Sequence, residues 1–399
     1  MGGYRKFPET VTTPVTTLSS DFFRIAGNGW KFVAGIAGNV SECFTCWDPM
    51  AQADVKQGQP FRGRATIRDI ADLAGVSIAT VSRVLNDRPD VSPETRETVM
   101  QVVREHGFST NRGARGLSSG RTGMIGLTLP LVADAYFGPM LSGASEALYE
   151  RDMRIVLAPT FHEHDREVSL IERLMRGTTD GAILMLPEES AAELRLLQRQ
   201  GFPFVVVDPR EAPPEGIACV AAMHAAGAKL ATEHLLELGH RRIGAIAGAP
   251  GWYATEERLI GFRAALAGKG ILLDPDLVTY SDWRTPWGMQ SADQLLSLPD
   301  PPTAIFGFND NVAIGALHAA HKRGLSVPED LSVVGFDDTA PATIVLPQLT
   351  SIRQPLAEMG RMGASLLVRL IEGQRVDALR VELSTKLVIR ESTAPPRRR

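Results

Sequence analysis

Short apolar runs recur along most of this chain, and they restrict the possible folds more than any other feature. From residue 121 onwards they are bounded by turn-forming residues and separated by stretches of helical periodicity such as AAGAKLATEHLLELGH. The runs read MIGLTLP, RIVLAPT, GAILMLP, FVVVD, RIGAIAG, TAIFGFND and LSVVGFDD. Strands that alternate with helices form parallel sheets covered on both faces, so the pattern predicts an α/β fold. Since no single break divides this long region, we expect two α/β lobes joined by crossovers.

The composition is that of an ordinary globular protein with two or three domains. The chain has 399 residues, of which 44% are hydrophobic and 22% are charged, so it can bury a large core. Its formal net charge of −4 gives no global sign of nucleic-acid binding, so any basic footprint must be local. Three cysteines do not build a disulfide framework. The apolar stretch at 32–37 is far too short for a membrane span and lacks the features of a signal peptide, so we expect a cytoplasmic protein.

Residues 1–63 have a different character from the rest of the chain. They are rich in threonine and glycine, show no sustained periodicity, and contain prolines at positions 8, 14, 49 and 60. This composition predicts a poorly ordered N-terminal extension. Cys43 and Cys46 form a lone CxxC without a second pair or nearby histidines, so a zinc or redox site is the lesser alternative. Another alternative is that the true start lies near Arg62 and that the extension is a misassignment.

Three short helices are predicted in residues 64–110. Thr66 caps the first helix, which ends at Gly75, and Ser77 caps the second. Ser92 and Pro93 open the third helix. Two helices joined by AGVS form the helix-turn-helix arrangement, whose second helix enters the DNA major groove. The alternative is a three-helix module of another kind.

The second helix has an outward face suited to close contact with DNA bases. Val81, Val84 and Leu85 form its inward side, and small or polar side chains with Arg83 form the other side. Small residues permit close approach, and an arginine donates two hydrogen bonds to a guanine edge. Arginines only slightly outnumber acids around this helix, so charge alone would not have revealed it.

The segment TIRDIADLAGVSIATVSRVLNDRPDVSPETRETV, followed by NRGARGL and GRTGMIGLTLP, closely resembles the start of lactose-repressor (LacI/GalR) family transcription factors. The similarity continues from Thr66 to VELSTKLVIRESTAP. It implies an all-α helix-turn-helix DNA-binding domain plus an α/β two-lobed, periplasmic-binding-protein-like core that binds an effector. The expected divisions are 1–63 for the extension, 64–110 for the DNA-binding domain, 111–122 for the hinge, 123–394 for the core and 395–399 for a basic tail.

The resemblance also implies roles for individual residues in the DNA-binding part. Ile78 and Ala79 match the two base-selecting positions, and Arg83 matches a guanine-directed arginine. The predicted DNA-binding set is Thr66, Ser77, Ile78, Ala79, Thr80, Ser82, Arg83, Asn86, Asn111, Ala114, Arg115 and Leu117. Within it Ser77, Thr80 and Ser82 match phosphate-contacting positions.

The last four residues of that set match the hinge pattern N-x-x-A-R-x-L of the family. Gly113 and Gly116 depart from a good helix, since each glycine weakens it by about 1 kcal/mol relative to alanine. We therefore expect a hinge that is disordered away from DNA. Leu117 resembles the leucine that the family inserts into the minor groove, and apolar wedges of this kind kink DNA.

Polar residues follow several of the predicted strands. Asp208 follows FVVV, Asn309 and Asp310 follow AIFGF, and Asp337 and Asp338 follow LSVVGF. Ligands of open α/β sheets bind beyond the carboxyl ends of the strands, so these groups are expected to converge. Carboxylates and an amide suit a ligand with several hydroxyls. The alternative, that each of them caps the next helix, is equally consistent with the pattern.

Two further residues complete the expected effector pocket. Arg258, taken to open the segment RLIGF, supplies a cation, and Trp283 is suited to stack on a sugar ring. The family resemblance implies the effector-binding set Tyr136, Phe137, Asp208, Arg258, Trp283, Asn309, Asp337 and Gln354. Gln354 and Leu356 lie where the chain is expected to re-cross between the lobes. Phe161 replaces a polar contact of some relatives, which leaves the effector's identity open.

The expected partners are operator double-stranded DNA, a carbohydrate effector and a second copy of the chain, with no membrane, metal or cofactor. A sugar-binding transport receptor is the alternative, because the core alone would support it. A sugar-processing enzyme ranks third: the pairs His162/His164 and His318/His321 lack a nearby nucleophile motif, and GAIAGAPG lacks a phosphate-loop lysine. Dimer and tetramer both remain open, although the tail PPRRR has no heptad pattern for a tetramer bundle.

Overall fold

The computed structural model describes residues 65–108, 121–376 and 378–397. The predicted extension, the Cys43/Cys46 pair and the hinge residues Asn111, Ala114, Arg115 and Leu117 lie outside the described residues. No helix in the described ranges is both long enough and apolar enough to cross a membrane.

Three short helices begin the described chain, as predicted: α1 Ile67–Ala74, α2 Ile78–Leu85 and α3 Pro93–Glu105. Thr66 and Asp69 form a reciprocal capping box at the start of α1, and Gly75 ends this helix with a φ of 66°. Ser77 caps α2 by accepting a hydrogen bond from the Thr80 amide at 3.0 Å. The core of these helices is small and is made by Ile70, Ala71, Val81, Val84 and Val99.

Twelve strands of the described chain form two six-stranded sheets. The first has the order β11-β5-β4-β3-β1-β2 and is parallel throughout, and the second has the order β12-β10-β9-β8-β6-β7. Only β12 is antiparallel to its neighbour. The strands are β1 Met124–Leu129, β2 Arg154–Pro159, β3 Gly181–Met185, β4 Phe204–Val207, β5 Cys219–Ala222, β6 Ile243–Ala247, β7 Val278–Tyr280, β8 Ala304–Gly307, β9 Ser332–Asp337, β10 Thr350–Arg353, β11 Arg380–Leu383 and β12 Lys386–Val388. We call the sheet that contains β1, with its helices, the first lobe and the other the second lobe.

Helices cover the two sheets, as the alternating pattern predicts. The first lobe contains α4 Phe137–Tyr149, α5 His164–Met175, α6 Ala191–Arg199 and α12 Leu356–Ile371. The second lobe contains α7 His224–Glu237, α8 Tyr253–Ala267, α9 Thr285–Leu296, α10 Asp310–Lys322 and α11 Ala340–Ile344. A one-turn 3₁₀ helix, Pro275–Leu277, precedes β7.

The chain passes between the lobes three times, after β5, after β10 and after β11. As a result each lobe is built from separate stretches of sequence. Gln354 lies at the second passage, directly after β10 and before α12. The expectation of two α/β lobes joined by crossovers is confirmed.

Two glycines allow the helices α4 and α12 to pack closely in the first lobe. A Cβ atom added at Gly143 would lie 1.9 Å from the carbonyl oxygen of Ala357, and one added at Gly360 would lie 1.9 Å from that of Met140. The absence of a Cβ atom at both positions therefore sets the distance between the two helix backbones.

Candidate functional site

The outward face of α2 presents a small, solvent-accessible surface. Ile78 is 42% exposed, Ala79 is exposed, and Val81 and Val84 are buried beneath them. The helix thus uses its few apolar residues to hold one side against α1 and α3, leaving the other side accessible. Its eight residues are enough to place one short recognition surface in a groove.

Several polar residues predicted to contact DNA already make hydrogen bonds within this domain. The hydroxyls of Ser77 and Thr80 lie 2.9 Å apart, and Asn86 donates its amide to the Ser82 carbonyl at 2.8 Å. Thr66 is occupied in the capping box of α1. These residues therefore hold the ends of the helices, and their predicted DNA contacts stay predictions.

Arg83 lies on the accessible side of α2 with a weakly held guanidinium. Its Nε is 3.6 Å from the Asp90 carboxylate, and both side chains are more than half exposed. An exposed ion pair of this length contributes little stability, so exchanging it for another partner has a small cost. Arg83 is thus available to bind an external acceptor.

A cavity of about 970 Å³ lies between the two lobes. Seven of the eight predicted effector-contacting residues line it: Tyr136, Phe137, Asp208, Arg258, Trp283, Asn309 and Asp337. Asp208 directly follows β4, Asn309 lies two residues after β8, and Asp337 ends β9, so the carboxyl ends of strands from both sheets converge as expected. Gln354 and Leu356 are buried and do not line the cavity.

Gln354 connects residues of both lobes from behind the cavity wall. Its Nε2 donates to Asp337 Oδ1 at 2.6 Å and to the Tyr136 hydroxyl at 3.3 Å. The Tyr136 hydroxyl in turn donates to Asp208 Oδ2 at 2.9 Å. Burial raises the pKa of the Tyr136 hydroxyl and of the Asp337 carboxyl well above their usual ranges. The three hydrogen bonds form a continuous link between the lobes at the cavity floor.

Arg258 is the buried cation of the cavity. Its helix, α8, begins at Tyr253, so Arg258 lies in the second turn of the helix and does not open it, which corrects the expectation from the sequence. Its guanidinium lies 3.7 Å from the Asp337 carboxylate, 3.8 Å over the ring of Phe336, and donates to the Phe308 carbonyl. These contacts hold the guanidinium in place inside the protein, where Arg258 is only 3% exposed.

His224, which sequence reasoning missed, lies between Asp208 and Arg258. Its Nδ1 is 3.3 Å from an Arg258 nitrogen, and its Nε2 is 3.6 Å from Asp208 Oδ1. Burial lowers the pKa of His224, which favours the neutral ring. Because arginine can only donate, Nδ1 accepts and the Nε2 proton points toward Asp208. The sign of His224 in the sequence is its position two residues after β5. The sequence CVAA of that strand is too short, and its side chains are too small, to predict a strand.

Three buried polar atoms of cavity-lining residues make no hydrogen bond with any described residue: Asp208 Oδ1, Trp283 Nε1 and Arg258 Nε. Buried polar atoms in proteins nearly always have a partner, so a ligand hydroxyl or water suits each position. The first is an acceptor and the other two are donors, and a hydroxyl can satisfy both types. This arrangement fits a neutral ligand with several hydroxyl groups.

Asn309 supports the alternative that strand-end residues cap helices. Its side-chain oxygen accepts from the Val312 amide at 2.8 Å at the start of α10, and its Nδ2 donates to the Trp283 carbonyl at 2.9 Å. Asp208 and Asp337 are not N-caps of any described helix. Asp338 pairs with Arg353 and Arg390 and does not line the cavity.

The histidine pairs from the sequence do not form a catalytic constellation in the described residues. His162 lies 3.2 Å from Glu188, and His164 lies 3.0 Å from Glu193. His318 and His321 both lie on α10. No group of three or more histidine, cysteine or acidic side chains within the described ranges is arranged to hold a metal ion.

Comparisons with known proteins cover both the helical domain and the core. A family profile for bacterial regulatory proteins of the lacI family matches residues 66–111, and one for a periplasmic binding protein-like domain matches residues 232–393. The HTH-type transcriptional regulator CelR of Thermobifida fusca is 37% identical over 339 residues, which is 83% of this chain and 99% of the relative. The ribose operon repressor of Halalkalibacterium halodurans is 35% identical over 82% of this chain and 97% of its own.

Solved structures of transcriptional regulators are also similar to this chain. The Lac repressor dimer bound to operator and the anti-inducer ONPF has a TM-score of 0.76 at 29% identity, covering 83% of this chain and all of the other. The CelR–cellobiose complex has a TM-score of 0.64 at 35% identity, covering 82% of this chain and all of the other. The similarity thus extends over nearly the whole length of these regulators.

Proposed function

The chain belongs to the LacI family, and from this membership in a family of DNA-binding transcriptional regulators we propose that it is a repressor that binds a near-palindromic operator as a homodimer. Members of this family are transcriptional regulators and not enzymes. Because operator DNA is the target, we place the protein in the cytoplasm at the nucleoid. The observation that carries the proposal is an accessible α2 face together with a ligand cavity between the lobes, in one chain.

The proposed DNA contacts follow from the exposure of α2. Ile78, Ala79 and Arg83 are accessible on one face, and we propose that they read bases in the major groove. A single short helix reads too few base pairs to be selective, which supports a dimer on two half-sites. The structure of a relative, the Lac repressor, is described as a dimer bound to operator, which is consistent with this assembly. Leu117 remains the predicted minor-groove wedge, and the described residues do not include it.

The proposed effector is a carbohydrate. Unpartnered Asp208 Oδ1 and Trp283 Nε1 suit ligand hydroxyls, and the Trp283 ring suits the apolar face of a sugar. The related CelR has been solved in complex with cellobiose, which supports the same ligand class here. A transport receptor would use the same cavity but would have no use for the accessible face of α2.

The DNA-binding proposal is tested by replacing Arg83. The full chain is first used to select its site from a random DNA library, and affinities are then measured by fluorescence anisotropy. Arg83→Ala should weaken binding to the selected site by about 1–3 kcal/mol and leave binding to random DNA nearly unchanged. Arg104→Ala is the matched control, because Arg104 is an exposed arginine on α3 that pairs with Glu97.

Two results would contradict this proposal. An equal loss of affinity on selected and random DNA would make Arg83 a phosphate contact rather than a base contact. Failure of the wild-type chain to enrich any sequence would contradict site-specific operator binding itself.

A further inference from the structure

We propose that the cavity binds a sugar of at least two rings, with an inner polar subsite for one ring and an outer aromatic subsite for the next. The inference rests on the proposed carbohydrate effector and adds a statement about the size of that effector. The inner subsite is formed by Tyr136, Asp208, Arg258 and Asp337, and the outer subsite by Phe161, Tyr280 and Trp287.

The inner subsite is deep and almost closed to solvent. Asp208 is 4% exposed, Arg258 3% and Asp337 6%. Hydrogen bonds from Tyr136 and Gln354 fix the two carboxyl groups, and the Phe308 carbonyl holds the Arg258 guanidinium. Such a set of rigid, directional groups suits the ring hydroxyls of one sugar unit.

Arg258 of the inner subsite begins a series of aromatic and guanidinium contacts between cavity-lining residues. The Arg258 Cζ lies 5.6 Å from the ring centroid of Trp283, which is 5.6 Å from that of Trp252 at an interplanar angle of 43°. The Trp252 ring in turn lies 4.9 Å from the Cζ of Arg210. Each step is comparable to the width of one sugar ring. These four groups all line the cavity, so its wall offers stacking surface beyond the inner subsite.

The outer subsite exposes aromatic rings from both lobes. Phe161 of the first lobe is 47% exposed, and Tyr280 and Trp287 of the second lobe are 49% and 48% exposed. Three large rings at the mouth of one cavity form a localised apolar surface of the kind that marks a binding site. Their faces suit the apolar C–H face of a pyranose, while the neighbouring Asp282–Arg284 pair offers polar contacts.

The backbone at Phe161 supports a functional role for its ring. Phe161 has a φ of 59° and His162 a φ of 60°, in the left-handed region that residues other than glycine rarely adopt. Such conformations have an energetic cost and cluster at ligand-binding positions. The Arg166 guanidinium lies 4.5 Å from the Phe161 ring. The Phe161 ring, which is 47% exposed and lines the cavity, thus offers a stacking surface for the second ring.

The cavity volume is consistent with this size of ligand. About 970 Å³ lies at the upper end of the roughly 300–1,000 Å³ range of small-molecule sites. The proposal therefore predicts that a monosaccharide contacts only one of the two subsites. A disaccharide or longer sugar would contact both at once.

Isothermal titration of the full-length chain with matched sugars tests the proposal. The probes are glucose with cellobiose and maltose, galactose with lactose, and xylose with xylobiose. We expect at least one disaccharide to bind about tenfold or more tightly than its own monosaccharide. Trp287→Ala should remove most of that preference, and Phe161→Ala should do so from the other lobe. Leu272→Ala is the control, because Leu272 is 92% exposed and does not line the cavity.

The outcomes separate this proposal from the one on which it rests. A monosaccharide that binds as tightly as every disaccharide containing it would overturn the two-ring proposal and leave the carbohydrate effector standing. A preference for disaccharides that survives in both aromatic variants, with folding verified by circular dichroism, would overturn the outer subsite. If none of the sugars bound the wild-type chain, the carbohydrate effector itself would be wrong.

Discussion

Glu189 is a carboxylic acid enclosed in the first lobe. It is 4% exposed, and neither of its oxygens forms a hydrogen bond with a described residue. Burial, reinforced by the nearby Glu167, raises the pKa of Glu189 to about 8, and burial raises the pKa of Glu167 to about 7. In the unfolded chain both groups ionise near their ordinary value of 4.5. Between these values the folded protein binds more protons at these two groups, so their contribution to stability is greatest at low pH and is lost as the pH rises through 7–8.

Glu189→Gln should therefore reduce the loss of stability between pH 5 and pH 8.5. Glutamine retains the shape of the protonated acid but cannot ionise, so the variant should gain on the order of 1–2 kcal/mol relative to wild type across that interval. Urea unfolding of both proteins at several pH values measures this. Two curves that remain parallel would show that Glu189 does not titrate in the interval.

Glu193→Gln is the control for this experiment, because the shift at Glu193 has the opposite sign. The amide and hydroxyl of Ser190 lower the pKa of Glu193. Its contribution is fully present above the unfolded value of 4.5 and is lost only as the pH falls through the lower folded value. Glu193→Gln should therefore reduce stability by a constant amount from pH 6 to pH 8.

The sequence predicted individual site residues where the preceding strand was easy to recognise. Asp208 and Asp337 follow strongly apolar runs, and both line the cavity. His224 follows the short strand β5, whose pairing depends on distant neighbours, and it was missed. Gln354 was expected only from the family resemblance, and its hydrogen bonds to Asp337 and Tyr136 exist only after folding. The aromatic mouth could not be predicted either, because Phe161 and Trp287 come from loops and helices of different lobes.

Helices α4 and α12 pack through glycine, and their contact gives the clearest prediction for stability. Gly143→Ala would place a methyl group 1.9 Å from the Ala357 carbonyl oxygen, so the helices must separate. We expect a loss of about 1–3 kcal/mol or more in the free energy of unfolding, as in other overpacked cores. Thermal or urea unfolding measures it.

Gly138→Ala in the same helix is the matched control. An added Cβ atom at Gly138 would meet nothing within 4 Å, so the higher helix propensity of alanine should leave stability unchanged or raise it by up to about 1 kcal/mol. If Gly143→Ala were as stable as Gly138→Ala, the close packing of α4 on α12 would not limit this fold.

The elements differ in how far local sequence determines them. The seven apolar runs identified from the sequence all form strands, and the predicted caps at Thr66, Ser77 and Ser92 all begin helices. The strands that were missed have three or four residues each, among them the edge strands β7, β11 and β12. Their partly exposed side chains carry no apolar signal, and only their neighbours in the sheet make them strands.

Communication between the effector cavity and DNA requires both lobes of the core. The hydrogen bonds from Asp208 through Tyr136 and Gln354 to Asp337 cross from one lobe to the other at the cavity floor. A ligand that replaces or tightens these contacts changes the relative stability of lobe arrangements, and only such a difference can alter DNA affinity.

Asp337→Ala should abolish the influence of the effector on operator binding while the affinity of the effector-free protein for DNA stays nearly intact. Sugar titrations into the protein–operator complex measure this. Because the variant leaves Arg258 buried without its partner, a lower melting temperature is expected as well. Asp293→Ala is the control: it removes an aspartate paired with Arg323 in the same lobe, away from the cavity. An unchanged response in Asp337→Ala would remove Asp337 from the effector site.

The three passages between the lobes have a consequence for how this protein is made. Translation delivers strands β1 to β5 before any part of the second lobe, yet the sheet they form is covered on one face by α12 and completed at its edge by β11. The second lobe likewise receives its edge strand β12 only at the very end. Neither lobe can be completed while the ribosome still holds the last segment of the core. Until α12 is made, α4 alone packs on this face of the sheet, so the nascent chain exposes the remaining apolar surface through most of its synthesis. Transiently exposed surfaces of this kind promote aggregation, and chaperones shield them.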